Sequence, residues 1–297
     1  MINGFIIIDK PAGITSHDVV NRVRRILGTR KVGHTGTLDP FATGVLPVAI
    51  NEGTKAIPFL DEGVKCYEAV IRLGLATDTQ DMTGRVLREG DWSLVDEEYF
   101  KSVLSRFIGE IDQVPPMFSA IKRNGQPLYK LARQGMEVER HPRRVNIHSL
   151  ELTSFEPPLV AVSVVCSRGT YVRSLADDIG YEVGCGGALH ALRRTASGSF
   201  RVEDAMTLDA LEEAALNRTV NDFRWSPYAA LEHLADIPLD ETAFHDTRCG
   251  RVPLLSYVFI GNEARLVRLS YNKKLIAVAE VSHTDGQPRM ILKRVFL

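Results

Sequence analysis

The sequence predicts an α+β fold, with strands and helices interspersed along most of the chain and a small β-rich module at its C-terminus. Three observations predict it. Residues 65–74 alternate, with Tyr67, Ala69, Ile71 and Leu73 on one face, as a half-buried strand does. Residues 18–27 and 171–183 instead repeat their apolar residues at helical spacing. Beyond residue 246 the chain breaks into short strand-like runs separated by turns. Such a mixture buries its apolar faces by packing helices on a sheet.

In chain order, residues 4–8 read as a buried strand that Pro11-Ala12-Gly13 ends. Thr15 or Ser16 is placed to cap a helix from Asp18 to Leu27, with Asp18 near its positive end. Val19, Val20, Val23, Ile26 and Leu27 share one face, and Gly28 suits the left-handed position that closes a helix. Gly33 to Gly44 holds three glycines, three threonines and one proline, which predicts a loop rather than a helix or strand. Residues 94–108 read as a surface helix. Residues 115–146, with two adjacent prolines, a Gly-Gln-Pro turn and many basic groups, read as a surface insertion. A second strand is expected at 159–166, then a helix in which Val172, Leu175, Ala176, Ile179 and Val183 are periodic. The acidic segment 203–246 is helical in pattern. After it come strands near 264–269, 274–281 and 289–296, divided by turns at Asn272-Lys273 and Asp285-Gly286, which predict a small β-barrel or sandwich.

Composition narrows the function classes. The chain has 297 residues, 44% hydrophobic and 25% charged, as a globular protein does. No stretch approaches the roughly 20 apolar residues of a membrane helix, and Phe5-Ile6-Ile7-Ile8 is too short for a signal peptide. A cytoplasmic location is the expectation. Cys66, Cys166, Cys185 and Cys249 match no zinc or CxxC spacing and read as reduced thiols. The net charge is −1, but it is unevenly spread. Residues 1–60 carry +3, 61–118 carry −6, 119–150 carry +5, 151–202 carry 0, 203–246 carry −9 and 247–297 carry +6. A phosphate backbone responds to such local positive blocks rather than to the total. No GxxxxGK[ST] loop, HExxH or GxSxG occurs, and Gly184-Cys185-Gly186-Gly187 does not follow a predicted strand. No metal, nucleotide or nicotinamide cofactor has a motif to stand on, so no cofactor is expected and side chains must supply any chemistry.

Asp39, between Leu38 and Pro40, is the most informative residue of the loop. An aspartate there either bonds its own backbone in a turn or is held by Pro40 and presented at a cleft, and the residue alone leaves both open. The surrounding run, Gly33-His34-Thr35-Gly36-Thr37-Leu38-Asp39-Pro40-Phe41-Ala42-Thr43-Gly44-Val45-Leu46, resembles the signature of the TruB family of tRNA pseudouridine synthases. Asp9-Lys10-Pro11 with Gly13-Ile14-Thr15-Ser16 looks like the family's opening motif. Tyr67, Arg72-Leu73-Gly74 and Thr77-Asp78-Thr79-Gln80-Asp81 look like its second. Cys166 to Arg173 and Leu192-Arg193-Arg194 look like its third and fourth. Phe118 departs from the tyrosine common there.

The resemblance implies a mixed, largely antiparallel pseudouridine-synthase sheet flanked by helices over residues 1–236, with 115–146 as an RNA-clamping insertion. It implies a PUA-like RNA-binding domain over 237–297. The implied activity is isomerisation of one uridine in the tRNA T-loop, position 55, by base flipping, glycosidic cleavage and reattachment through C5. Asp39 is the implied nucleophile, because a carboxylate answers the positive charge that builds on the sugar. Arg173 would pair with it, Tyr67 would stack on the base, Tyr171 and Leu192 would wall the pocket, and His34 would fill the vacated stack. Lys10, Arg30, Lys31, Lys122, Arg133, Arg143 and Arg144 are the expected phosphate contacts, and the C-terminal domain would reach the acceptor end. The chain is expected to act as a monomer with no membrane contact. A non-catalytic tRNA chaperone on the same scaffold is the rival reading. A glycoside hydrolase is a poorer one, since Asp39 lacks an acid partner in its motif.

Overall fold

The computed structural model describes residues 2–61, 63–119, 121–123, 125–253, 265–284 and 287–296. The chain divides into two compact units. One comprises Met1–Pro40, Leu46–Asp61 and Val202–Leu297, the other Phe41–Val45 and Glu62–Arg201.

In the first unit, strand Gly4–Lys10 is buried except for Asp9. It neighbours strand Thr43–Ile50, which also takes the short strand Val32–His34 in antiparallel register. Helix Ser16–Leu27 covers these strands with Val19, Val20 and Val23, and helix Leu208–Leu216 adds Leu208, Leu211 and Ala214 to the same core. Helix Ser16–Leu27 begins two residues before the expected Asp18, and of the two cap candidates it uses Thr15. Thr15 caps it in a reciprocal box with Asp18, and Gly28 ends it in the left-handed conformation. Further along this unit, strands Ala235–Pro238, Arg265–Tyr271, Lys274–Thr284 and Gln287–Val295 form a four-stranded sheet in that order. The first pair is parallel and the others antiparallel. Helix Glu241–Arg248, capped by Asp240, contributes Ala243 to its core beside Val267, Leu269 and Ala277. A single sheet therefore stands, among the described residues, where a barrel or sandwich was expected. The expected turn at Asp285-Gly286 lies outside the described residues.

The second unit is built on antiparallel strands in the order Gly187–Ser197, Val64–Leu73, Leu159–Ser167, Arg143–Glu156 and Gly109–Gln113. Thr43 and Gly44 run parallel beside Arg193 and Arg194, which makes the sheet mixed, as expected. Gly44 has a φ of 100°, and a Cβ there would collide with the Arg194 carbonyl. Helix Val172–Val183 packs on strand Gly187–Ser197, and Gly180 permits the approach, since a Cβ would strike the Gly187 amide. Helix Glu97–Ser105 sets Phe100 against Phe155, ring centroids 5.9 Å apart.

Several expectations need correction. The run 33–44 is a loop only between its ends, because Val32–His34 and Thr43–Ile50 are strands. Strand Thr43–Ile50 is buried on both faces from Gly44 onward, so it shows no alternation to read. Strands Arg143–Glu156 and Gly187–Ser197 were also missed. Each has two register shifts, and each shift breaks the period of two. Arg143 and Arg144 thus open a strand rather than belong to the insertion. The acidic segment includes strand Ala235–Pro238 besides its helices. No helix among the described residues is long and apolar enough to cross a membrane.

Candidate active site

Residues 35–42 form neither helix nor strand, so side chains and turns must hold the loop. Ser16, at the first turn of its helix, reaches Leu38. The Ser16 hydroxyl accepts the Leu38 N–H at 2.9 Å and donates to the Leu38 carbonyl at 3.1 Å. On the far side of Asp39, the Pro40 carbonyl accepts from the Lys10 ammonium at 3.1 Å and from the Gly13 N–H at 2.8 Å. The Lys10 ammonium also donates to the carbonyls of Pro11 at 2.8 Å and Ile14 at 2.7 Å. The Thr35 N–H donates to the Pro47 carbonyl. Asp39 is half-buried between buried Leu38 and exposed Pro40. His34 ends the short strand opposite Val48 and is half-buried.

In the second unit, the register brings two expected pocket residues together. Ala69 faces Leu192 and Tyr67 faces Arg194 across the paired strands. Tyr67 and Leu192 are therefore diagonal neighbours on one sheet face, and both are buried. Arg194 is buried and donates from Nε to the Val45 carbonyl at 2.8 Å.

Arg173 lies in the first turn of helix Val172–Val183, only 4% exposed. Its guanidinium donates to the Thr79 carbonyl at 3.2 Å and the Phe118 carbonyl at 2.8 Å, and lies 3.7 Å from an Asp81 carboxylate oxygen. Asp81 accepts from the Thr79 hydroxyl at 2.8 Å, the Thr83 N–H at 2.9 Å and the Thr83 hydroxyl at 2.5 Å. The Ser174 hydroxyl donates to Gln80 at 2.8 Å, and Gln80 donates to Asp177 at 2.9 Å. The run Thr77–Asp81 is thus a bracket for the helix that carries Arg173. Tyr171 stands half-buried at the cap position, where no side chain of its own caps the helix. Gln113, 2% exposed, clamps Tyr171 instead. It donates from Nε2 to the Tyr171 carbonyl at 3.0 Å and accepts the Tyr171 N–H at 2.8 Å.

Burial raises the carboxyls of Asp177 and Asp178 on the same helix above the usual range. Asp178 reaches about 6, with the neighbouring Asp177 charge as a second cause. Burial pushes the Cys166 thiol up to about 11.

The expected phosphate contacts divide. Arg30, Lys31, Arg143 and Arg144 are exposed, and Arg144 lies 3.8 Å from Glu110 and 3.9 Å from Asp112. The side chains of Lys122 and Arg133 lie outside the described residues. Lys10 is a correction. It is 0% exposed, and its ammonium satisfies three carbonyls rather than facing solvent. Sequence reading also missed Ser16, Asp81 and Gln113 as supports. For Ser16 the linear signal was its place on the helix face of Val19, Val20 and Val23; Asp81 carried none.

Comparison with known proteins places these elements. A sequence model of the TruB family pseudouridylate synthase N-terminal domain matches residues 24–172. One of the tRNA pseudouridylate synthase B C-terminal domain matches residues 173–237. The chain is 51% identical over 304 residues to tRNA pseudouridine synthase B of Geotalea uraniireducens (strain Rf4), covering 99% of this chain and 98% of that protein. It is 54% identical over 252 residues to the protein of that name in Geobacter sulfurreducens, covering 85% and 83%. Among solved structures, a Cbf5-Nop10-Gar1 complex matches with a TM-score of 0.78 at 28% identity, covering 99% of this chain and 85% of that one. An H/ACA RNP bound to a substrate RNA containing 2'-deoxyuridine matches with a TM-score of 0.72 at 26% identity, covering 99% and 85%.

Proposed function

The chain belongs to the TruB family of pseudouridylate synthases, and from that premise we propose that it isomerises one uridine of the tRNA T-loop to pseudouridine. The observation that carries the reading is the Asp39 loop. A carboxylate stands in the family's motif between two residues whose main chain is held from both sides. Such an arrangement suits a group that must meet a developing charge with little reorganisation.

In this reading the target uridine leaves its stack and enters the site. Asp39 acts on the nucleotide as the glycosidic bond to N1 breaks. The free base turns and rejoins the sugar through C5; the C5 proton is lost while the freed N1 takes one up, so substrate and product are isomers. Tyr67 and Leu192 offer the flipped base an aromatic face and an aliphatic wall, supported by their shared sheet face. Tyr171 completes the wall. Arg173 supplies the cation that pairs with the nucleophile, and His34 takes the vacated stacking position. Exposed Arg30, Lys31, Arg143 and Arg144 supply the phosphate contacts, to which Lys122 and Arg133 add theirs. Residues 237–297 act as the RNA-binding C-terminal domain and touch the acceptor end. The protein acts as a cytoplasmic monomer and needs no cofactor.

The test is to incubate the protein with an unmodified tRNA transcript and map pseudouridine by carbodiimide-blocked reverse transcription, with Asp39→Asn beside it. A stop at the T-loop uridine with the wild type alone is the expected result. Tight tRNA binding with no stop from either protein would instead make the chain a binding protein.

A further inference from the structure

We propose that Ser16 is a positioning residue for the Asp39 carboxylate, acting through the main chain of Leu38; this rests on the functional reading above. The geometry is explicit. One hydroxyl, on a residue 2% exposed, accepts the Leu38 N–H at 2.9 Å and donates to the Leu38 carbonyl at 3.1 Å. Holding both groups of one residue holds its φ and ψ. The peptide bond is planar, so the Leu38 carbonyl and the Asp39 nitrogen share a plane. Orienting that carbonyl therefore orients the plane from which Asp39 projects. The Pro40 ring fixes the next φ, and the Pro40 carbonyl is already held by two donors. Little main-chain freedom is left to Asp39.

Only a group that donates and accepts through one small atom makes both bonds at once, and a serine hydroxyl does so. Its place at the start of a helix suggests capping, but that task is done elsewhere. Thr15 caps the helix and Asp18 returns the bond to the Thr15 N–H. The Ser16 hydroxyl is thus committed to a loop 22 residues away. A displacement of about 1 Å at a reacting group costs up to about 100-fold in rate, so a loosened Leu38 should appear in turnover rather than in binding.

The experiment compares wild type, Ser16→Ala, Ser16→Cys and Thr15→Ala on a tRNA transcript. It reads the single-turnover rate of pseudouridine formation, the tRNA Kd and Tm. Ser16→Ala is expected to slow the chemical step by about tenfold or more with Kd within about twofold. Ser16→Cys, a weaker donor and acceptor in the same place, should fall between it and wild type. Thr15→Ala should lower Tm through the lost cap without slowing the step. An active wild type with an equally active Ser16→Ala overturns the proposal alone. So does Thr15→Ala slowing the step as much as Ser16→Ala. Should Ser16→Ala not fold, the comparison of Ser16→Cys with Thr15→Ala decides on the same criterion. A wild type that makes no pseudouridine overturns the functional reading and this proposal with it.

Discussion

The loop around Asp39 and the helix start around Arg173 are both held by buried polar groups, but the bonds fall in different places. Around Asp39 they fall on the main chain of its neighbours, through Ser16 on Leu38 and Lys10 on Pro40. At the helix start they fall on the guanidinium itself, through Thr79, Phe118 and Asp81, while Gln113 clamps the preceding Tyr171. The difference follows from the tasks proposed for the two groups. Holding the main chain on either side of Asp39 fixes the place from which its carboxylate projects. A cation that orients others is best tied directly.

The largest expected effect breaks the comparison at its centre. Asp39→Asn should lower the rate of pseudouridine formation by at least about a thousandfold. Its tRNA affinity should stay near wild type, because its neighbours' main chain is held independently of the carboxylate. A gel-shift titration beside the mapping assay reads both. Next, Lys10→Met takes the charged donor from three part-buried carbonyls, which predicts a loss of about 1–3 kcal/mol in urea unfolding. Unchanged stability would show that the loop holds itself. Gln113→Leu removes both bonds to Tyr171 at similar volume and should cost about 1–2 kcal/mol. It tests whether the helix start depends on its clamp as the loop does.

A smaller effect concerns pH. Asp178 has a folded pKa of about 6, above its ordinary 3.8. The folded state therefore binds the proton more tightly, and this contribution to stability is full below about 3.8 and lost as pH rises through 6. Asp178→Asn should stabilise the protein at pH 7.5 by about 1 kcal/mol, after discounting for its partial exposure, and the gain should vanish near pH 4. Thermal melts at the two pH values measure it. The smallest effect is Arg144→Ala. Its exposed ion pairs contribute less than about 0.5 kcal/mol to folding. If it meets a phosphate, the slope of log Kd against log salt should fall by about one. An unchanged slope would remove it from the RNA surface.

What was readable in the sequence follows from what each residue's neighbours report. Strands Val64–Leu73 and Leu159–Ser167 were readable because one side chain in two is buried along most of their length. Strands Arg143–Glu156 and Gly187–Ser197 were not, because their bulges shift the alternation partway along. Thr43–Ile50 failed for the opposite reason, being buried on both sides. Within the candidate site, Asp39 stood out because its loop carries an extended family signature. Lys10 was misjudged because a lysine that opens the turn Pro11-Ala12-Gly13 looks like a surface cation.

The sequence by itself determined the local matters: the α+β class, a helix ending at Leu27 and closed by Gly28 with its cap at Thr15 or Ser16, and the chemical types the site could use. Such features depend on interactions within one or two turns, so nearby residues are enough to set them. Only the tertiary structure decided which polar groups support which. Ser16 meets Leu38 at 22 residues' separation, Gln113 meets Tyr171 at 58, Arg173 meets Thr79 at 94 and Arg194 meets Val45 at 149. A buried donor must find an acceptor, but its own residue does not say which one. The packing of strands and helices makes that choice when it excludes water from both partners.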